Sequence, residues 1–202
     1  MRTLTLVATV LLLAAALWIA SPSETALQAQ GGDGCTEILV NGDMESYTGW
    51  SFPSSPAQGS YSTAQYHSPT RSARLGIIDG NNVFSFSSVR QKVIVPAGNA
   101  LILEWYMYPL SVPHDAEDLQ YVNILNSKLR EQRRLWSGVR NDQDWLACSF
   151  DVSEFLDQTI YVNMTVRNDG NGGRTALFVD DVSLKVCPAR RNTLEGCLLV
   201  TP

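Results

Sequence analysis

Apolar residues in this chain recur mostly at every second position, in short runs cut by Gly, Pro, Asn and Asp clusters. That period predicts strands at 36–40, 74–78, 88–95, 100–108, 120–126, 133–137, 147–151, 159–167 and 176–186. Helix-period stretches are few. Residues 151–156 read as one short helical turn capped by Asp151 or Ser153. The segments 96–99 and 168–173 carry the Gly and Asn that tight turns require. The fold class expected is all-β, a two-sheet antiparallel β-sandwich.

Strand parity assigns the faces. In 100–108, Leu101, Leu103, Trp105 and Met107 point to the core, which leaves Glu104, Tyr106 and Tyr108 on the other side. In 120–126, Val122 and Ile124 go inward, with Tyr121 and Asn123 outward. In 159–167, Ile160, Val162, Met164 and Val166 go inward, with Tyr161, Asn163, Thr165 and Arg167 outward. If these three strands adjoin, one sheet face carries a platform of Tyr, Asn, Glu and Arg. Sugars need that mixture, because pyranose C–H faces stack on rings while hydroxyls take amide and charged partners. The plainer reading is that tyrosine is a good strand residue whose ring packs across strands. A rival site is the loop edge with Trp50, Phe52, Tyr61 and Tyr66, of which Trp50 itself reads rather as core.

Parity also singles out Asp180, which falls in step with Phe178, Val182 and Leu184, while Asp181 falls out of step. A buried carboxylate calls for a cation, an Arg or Lys, or a set of hydrogen-bond donors. The expected answer is a calcium ion shared with Glu45, which would join the two ends of the sandwich; backbone or Arg donors are the alternative.

Composition adds a compartment. Arg2, an uncharged apolar run from Leu4 to Ala20 and small residues from Ala26 to Ala29 read as a signal peptide over residues 1–29, with an uncleaved membrane anchor as the alternative. The protein is expected to be secreted or extracellular, or held at the cell envelope if that segment stays. Residues 30–35 form a flexible lead-in, 36–187 the domain and 188–202 a tail with little structural signal. Cys35, Cys148, Cys187 and Cys197 suit an oxidising compartment. If Glu45 and Asp180 meet, Cys35 pairs with Cys187 and Cys148 with Cys197; local pairing of Cys187 with Cys197 competes. A net charge of −5 argues against nucleic acid as partner.

Several motifs then occur in order: Asn41-Gly42 with Glu45 and Gly49-Trp50, the stretch from His67 to Gly76, Leu103-Glu104-Trp105-Tyr106, Phe150-Asp151-Val152-Ser153, and Asn168-Asp169-Gly170 before Phe178-Val179-Asp180-Asp181. Together they resemble the galactose-binding-like jelly-roll domains of secreted bacterial proteins, which include carbohydrate-binding modules. The resemblance covers about residues 36–186 and implies a structural calcium held by Glu45 and Asp180. It further implies that backbone carbonyls near Asp43 and in the Thr70-Arg71 turn complete the shell. The chain departs from the usual pattern at Asp43, at Met44 and at Pro69-Thr70.

No nucleophile elbow, zinc-protease helix or phosphate loop is present. His67 and His114 lack metal-ligand spacing, and the acidic loop Asp115, Glu117, Asp118 does not establish opposed carboxylates. Lys128, Arg130, Arg133, Arg134 and Arg140 read as a solvated hairpin edge, or less often as a contact for acidic polysaccharide. The expected function is a non-catalytic module that binds carbohydrate or cell-surface polysaccharide. An adhesive module contacting protein, and a small polysaccharide-acting enzyme, are the alternatives.

Overall fold

A computed structural model describes residues 34–112, 117–189 and 194–200; the signal-peptide or anchor segment lies outside them. Among the described residues eleven strands form two antiparallel sheets, joined by one turn of 3-10 helix between two of the strands. The strands are β1 (Thr36–Glu37), β2 (Ser60–Ser62), β3 (Ser72–Gly76), β4 (Phe84–Ile94), β5 (Ala100–Ser111), β6 (Leu119–Asn126), β7 (Glu131–Gly138), β8 (Leu146–Asp151), β9 (Thr159–Asp169), β10 (Thr175–Cys187) and β11 (Gly196–Leu199). The first sheet has the order β11-β8-β5-β10-β3-β2, with β1 pairing the far end of β10; the second has the order β4-β9-β6-β7.

The inner faces supply the core that parity predicts. Leu101, Leu103, Trp105 and Met107 of β5 are fully buried against Val122, Ile124, Val162, Met164 and Val166 from the other sheet. Trp105 stacks on Phe150 at 5.4 Å. Trp50 joins this core, and its indole N–H donates to the Asn41 carbonyl at 2.8 Å. The short helical turn forms at Ser153–Phe155, with the Ser153 amide donating to Asp151 Oδ1.

The disulfides are Cys35–Cys187, which ties the residue just before β1 to the end of β10, and Cys148–Cys197, which crosses from β8 to β11. The second fastens a strand in the segment that carries little signal in the sequence. Cys197 lies opposite Cys148 in the ladder, so the tail contributes the outermost strand of the first sheet.

One parity assignment fails. In β10, Leu177 and Val179 face the core, and so do Val182, Leu184 and Val186. The switch from odd to even occurs at a bulge between Asp180 and Ser183, where Asp181 has a φ of 45°. A bulge inserts one residue and shifts every later side chain by one step. Asp180 therefore does not share a face with Val182 and Leu184. It lies opposite Tyr106, on the outer face with Phe178 and Tyr108.

The turn at Asn41-Gly42 docks on this bulge. The Val182 amide donates to the Gly42 carbonyl at 2.8 Å, and a Cβ at Gly42 would lie 1.9 Å from the Val182 carbonyl oxygen. Gly42→Ala must push the turn away from β10. Its unfolding free energy in urea is expected to fall by about 2 kcal/mol; a fall under ~0.5 kcal/mol would show that the turn moves freely.

Candidate functional site

The residues expected on one platform stand on two opposite faces. β5 belongs to the first sheet, whereas β6 and β9 belong to the second. Glu104, Tyr106 and Tyr108 are thus separated from Tyr121, Asn123, Tyr161, Asn163 and Arg167 by the whole core. Sheet membership depends on which strands pair, and periodicity alone does not encode that.

On the first sheet the outward side chains are engaged in internal contacts. The His67 ring stacks on Tyr106 at 3.6 Å and 16°, and its Nδ1 lies 2.6 Å from Asp181 Oδ2. Tyr108 sits edge-on to Trp145 at 5.6 Å and to Phe178 at 6.2 Å. Glu104 accepts from Lys185 at 3.2 Å. A groove of about 450 Å³ remains beside them, lined by Glu104, Tyr106, Ser149, Asp181, Lys185 and Leu198.

Under the His67 loop the Asp180 carboxylate is buried completely. It accepts backbone N–H bonds from His67 at 2.7 Å, Ser68 at 3.2 Å and Asp181 at 2.8 Å. Burial pushes its pKa up to about 7 against the pull of these donors, and the adjacent Asp181 charge pushes the same way. Glu45 grips the other end of the same loop. Its carboxylate accepts from the Thr70 and Arg71 amides and, at 3.1 Å, from the Thr70 hydroxyl. Those bonds outweigh desolvation and hold its pKa below the usual range. Both carboxylates thus clamp one loop, and the Arg71 amide rather than its carbonyl meets Glu45. Asp43 is at hand through its carboxylate, which accepts from the Glu45 amide at 3.4 Å.

The loop meets the two carboxylates through amide N–H groups, and the Ser68 hydroxyl is buried there with no hydrogen-bond partner. Among the described residues no group of three or more His, Cys, Asp and Glu is placed to hold a metal by side chains alone. Backbone or water oxygens would have to supply the remaining ligands.

The outer face of the second sheet is the candidate site. Its floor is a chain of buried polar groups: Asn163 donates to Asn123 Oδ1 at 2.8 Å and to Thr165 at 2.9 Å, and Asn123 donates to Glu131 at 2.5 Å. Thr165 also pairs with Ser88 at 2.8 Å. Tyr161 and Tyr121 rise from this floor. Arg134 covers the Tyr121 ring at 4.5 Å, and Arg90 approaches the Tyr161 ring at 5.8 Å. Burial pushes the Tyr121 phenol up in pKa, opposed by its hydrogen bond with Thr165.

Sequence reasoning missed the contribution of β4, whose ladder places Phe86 opposite Arg167, Arg90 opposite Asn163 and Lys92 opposite Tyr161. The strand is inverted at its start. Phe84 and Phe86 are 57% and 45% exposed, while Ser85 and Ser87 are buried. The two phenylalanine rings meet edge to face at 5.5 Å. The alternation from Phe84 to Lys92 was the available signal, hidden because serine occupied the inward places.

The rival loop edge is mostly packing. Phe52 and Tyr47 both contact Tyr61 edge-on, at 5.0 and 5.2 Å, and only Tyr66 of the four residues expected there stands exposed. In the hairpin cluster Arg133 pairs with Glu154 and Glu195, Arg134 with Glu131, and Arg140 with Asp142.

No family model and no curated protein sequence matches the chain. Among solved structures it is similar to TmCBM61, determined with β-1,4-galactotriose, at a TM-score of 0.53 and 14% identity over 74% of this chain and 97% of that one. The family 22 carbohydrate-binding module at the C-terminus of Clostridium thermocellum Xyn10B follows at a TM-score of 0.49 and 10% identity, over 79% and 98%. A family 16 carbohydrate-binding module aligns at a TM-score of 0.49 and 14% identity, over 73% and 98%. The fold of this chain is therefore a two-sheet β-sandwich similar to that of a carbohydrate-binding module.

Proposed function

We propose that the protein is an exported, non-catalytic carbohydrate-binding module that takes its sugar on the outer face of the β4-β9-β6-β7 sheet. The observation that carries this reading is the inverted strand β4 beside a satisfied polar floor. Two exposed phenylalanines in a row, with serines buried in their stead, cost burial energy that a purely structural sheet would recover. They share the outward parity of β4 with Arg90 and Lys92, which lie opposite Asn163 and Tyr161 further along the strand, so apolar rings and planar amides lie on one sheet surface. Rings give a pyranose its stacking partner, and the buried amide floor holds the surrounding polar side chains in place for its hydroxyls. The modular fold supports the same reading, and the two disulfides support export. A calcium ion held by Glu45 and Asp180 belongs to the proposal as a structural element that would fix the loop between them.

Affinity electrophoresis against a panel of plant and algal polysaccharides tests the site. Tyr161→Ala and Phe86→Ala are each expected to weaken retention about tenfold, with an unchanged circular dichroism spectrum, as the loss of one stacking ring predicts. If the wild type is retained by no polysaccharide, or both variants by the same one as strongly as wild type, the face is not a sugar site and the adhesive reading replaces it.

A further inference from the structure

Resting on that reading of the face, we infer that the glycan it takes is anionic, bearing carboxylate or sulfate groups. The chain is acidic, with a net charge of −5, yet this surface has the opposite sign. Arg90 and Lys92 of β4, Arg167 of β9 and Arg134 of β7 all lie on the outward parity of their strands. Among the described residues the carboxylates near it include Glu131, already committed to Arg134 at 2.8 Å and to Asn123, Asp169 at the end beside Phe84, which accepts from the Asn171 amide, and Glu117, whose backbone meets Arg167. Among the described residues Arg90, Lys92 and Arg167 have no carboxylate partner. Arg167 donates only to the Glu117 carbonyl at 3.1 Å.

Cations on an edge strand such as β4 also deter strand-to-strand association. That role needs charge on β4 alone. Here the cations run across three of the four strands, and Arg90 leans toward a tyrosine ring instead of away from the sheet. A guanidinium beside an aromatic ring and a planar amide offers a forked donor next to a stacking surface. Arg90 is opposite Asn163 and Lys92 opposite Tyr161, so the forked donor, the amide and the ring fall on adjacent positions of two strands. A neutral sugar would use the ring and the amide and leave the cations idle. An acid sugar or a sulfated one uses all of them. The uncovered cations then add long-range attraction, which salt weakens.

Titration calorimetry with polygalacturonate, a sulfated galactan and a neutral β-1,4-galactan separates the outcomes. At least one anionic polymer is expected to bind ten or more times more tightly than the neutral one in about 20 mM salt, and to lose about tenfold in affinity at about 300 mM. The Arg90→Gln/Lys92→Gln double variant is expected to erase that preference, bringing the affinity for the anionic polymer down to that for the neutral one. Preference for one anionic polymer over the other identifies carboxylate or sulfate as the group read. Equal binding of neutral and anionic polymers, insensitive to salt and to the double variant, overturns the inference and leaves the sugar site standing. Binding to none of the three, with no polysaccharide retained in the electrophoretic panel, overturns both.

Discussion

Replacing Cys35 and Cys187 together with alanine is expected to lower the unfolding free energy by roughly 3–5 kcal/mol, read as a shift of the urea midpoint at constant slope. The bond joins residues 152 apart in sequence, so it closes nearly the whole folded chain into a loop. In the chain-entropy account such a loop confines the unfolded state by roughly 5 kcal/mol, the upper bound here because the second disulfide already restrains part of the same chain. Little else holds the segment it anchors. β1 has only two residues, both exposed, and pairs with β10 at Thr36–Val186 and Glu37–Lys185. The Glu37 carboxylate helps by accepting from the Leu184 amide at 3.0 Å and the Ser183 hydroxyl at 2.5 Å. The Cys148→Ala/Cys197→Ala pair closes a span of 49 residues and fastens only the edge strand β11. It should cost less than the first pair. A loss below ~1 kcal/mol for Cys35 and Cys187 would mean that the unfolded chain is already compact near its ends.

The sheets were legible where alternation is strict. Trp105, Met107, Val122, Ile124, Val162 and Met164 fall on the core side that period two assigns to them. Three features defeat that period, each for a physical reason. The bulge at Asp180–Ser183 resets the count within a strand, so residues on either side of it cannot be compared by parity. The partition of strands between sheets follows from long-range pairing, which is why Tyr106 and Tyr161 share a parity pattern yet face opposite directions. The inversion at Phe84–Ser87 looks like a loop to any rule that sends apolar residues inward, since the phenylalanines take the outward places and the serines the inward ones. The carboxylates stand out in the sequence even so. Asp180 is buried and satisfied as expected of a costly group, although on the other face of the strand and by amides of a loop that no strand pattern predicts.

Asp180→Ala is expected to destabilise the fold by about 3 kcal/mol, because it removes the acceptor of three amides in a fully buried place. The His67 and Ser68 amides lose this acceptor, and the loop that stacks His67 on Tyr106 is freed from the sheet. Asp180→Asn keeps an acceptor oxygen and should recover part of the loss. Thermal melts with and without chelator separate the hydrogen-bonding role from the proposed calcium. A calcium shared by Asp180 and Glu45 makes the wild-type transition fall with chelator and leaves that of Asp180→Ala unmoved, since ligand binding to the native state alone adds to its stability. Chelator without effect on the wild type, together with a large loss in Asp180→Ala, would end the calcium proposal and leave the carboxylate as the clamp of the loop. A variant that melts with the wild type in both conditions would remove the clamp as well. In that case the buried charge costs about as much in desolvation as its three hydrogen bonds return.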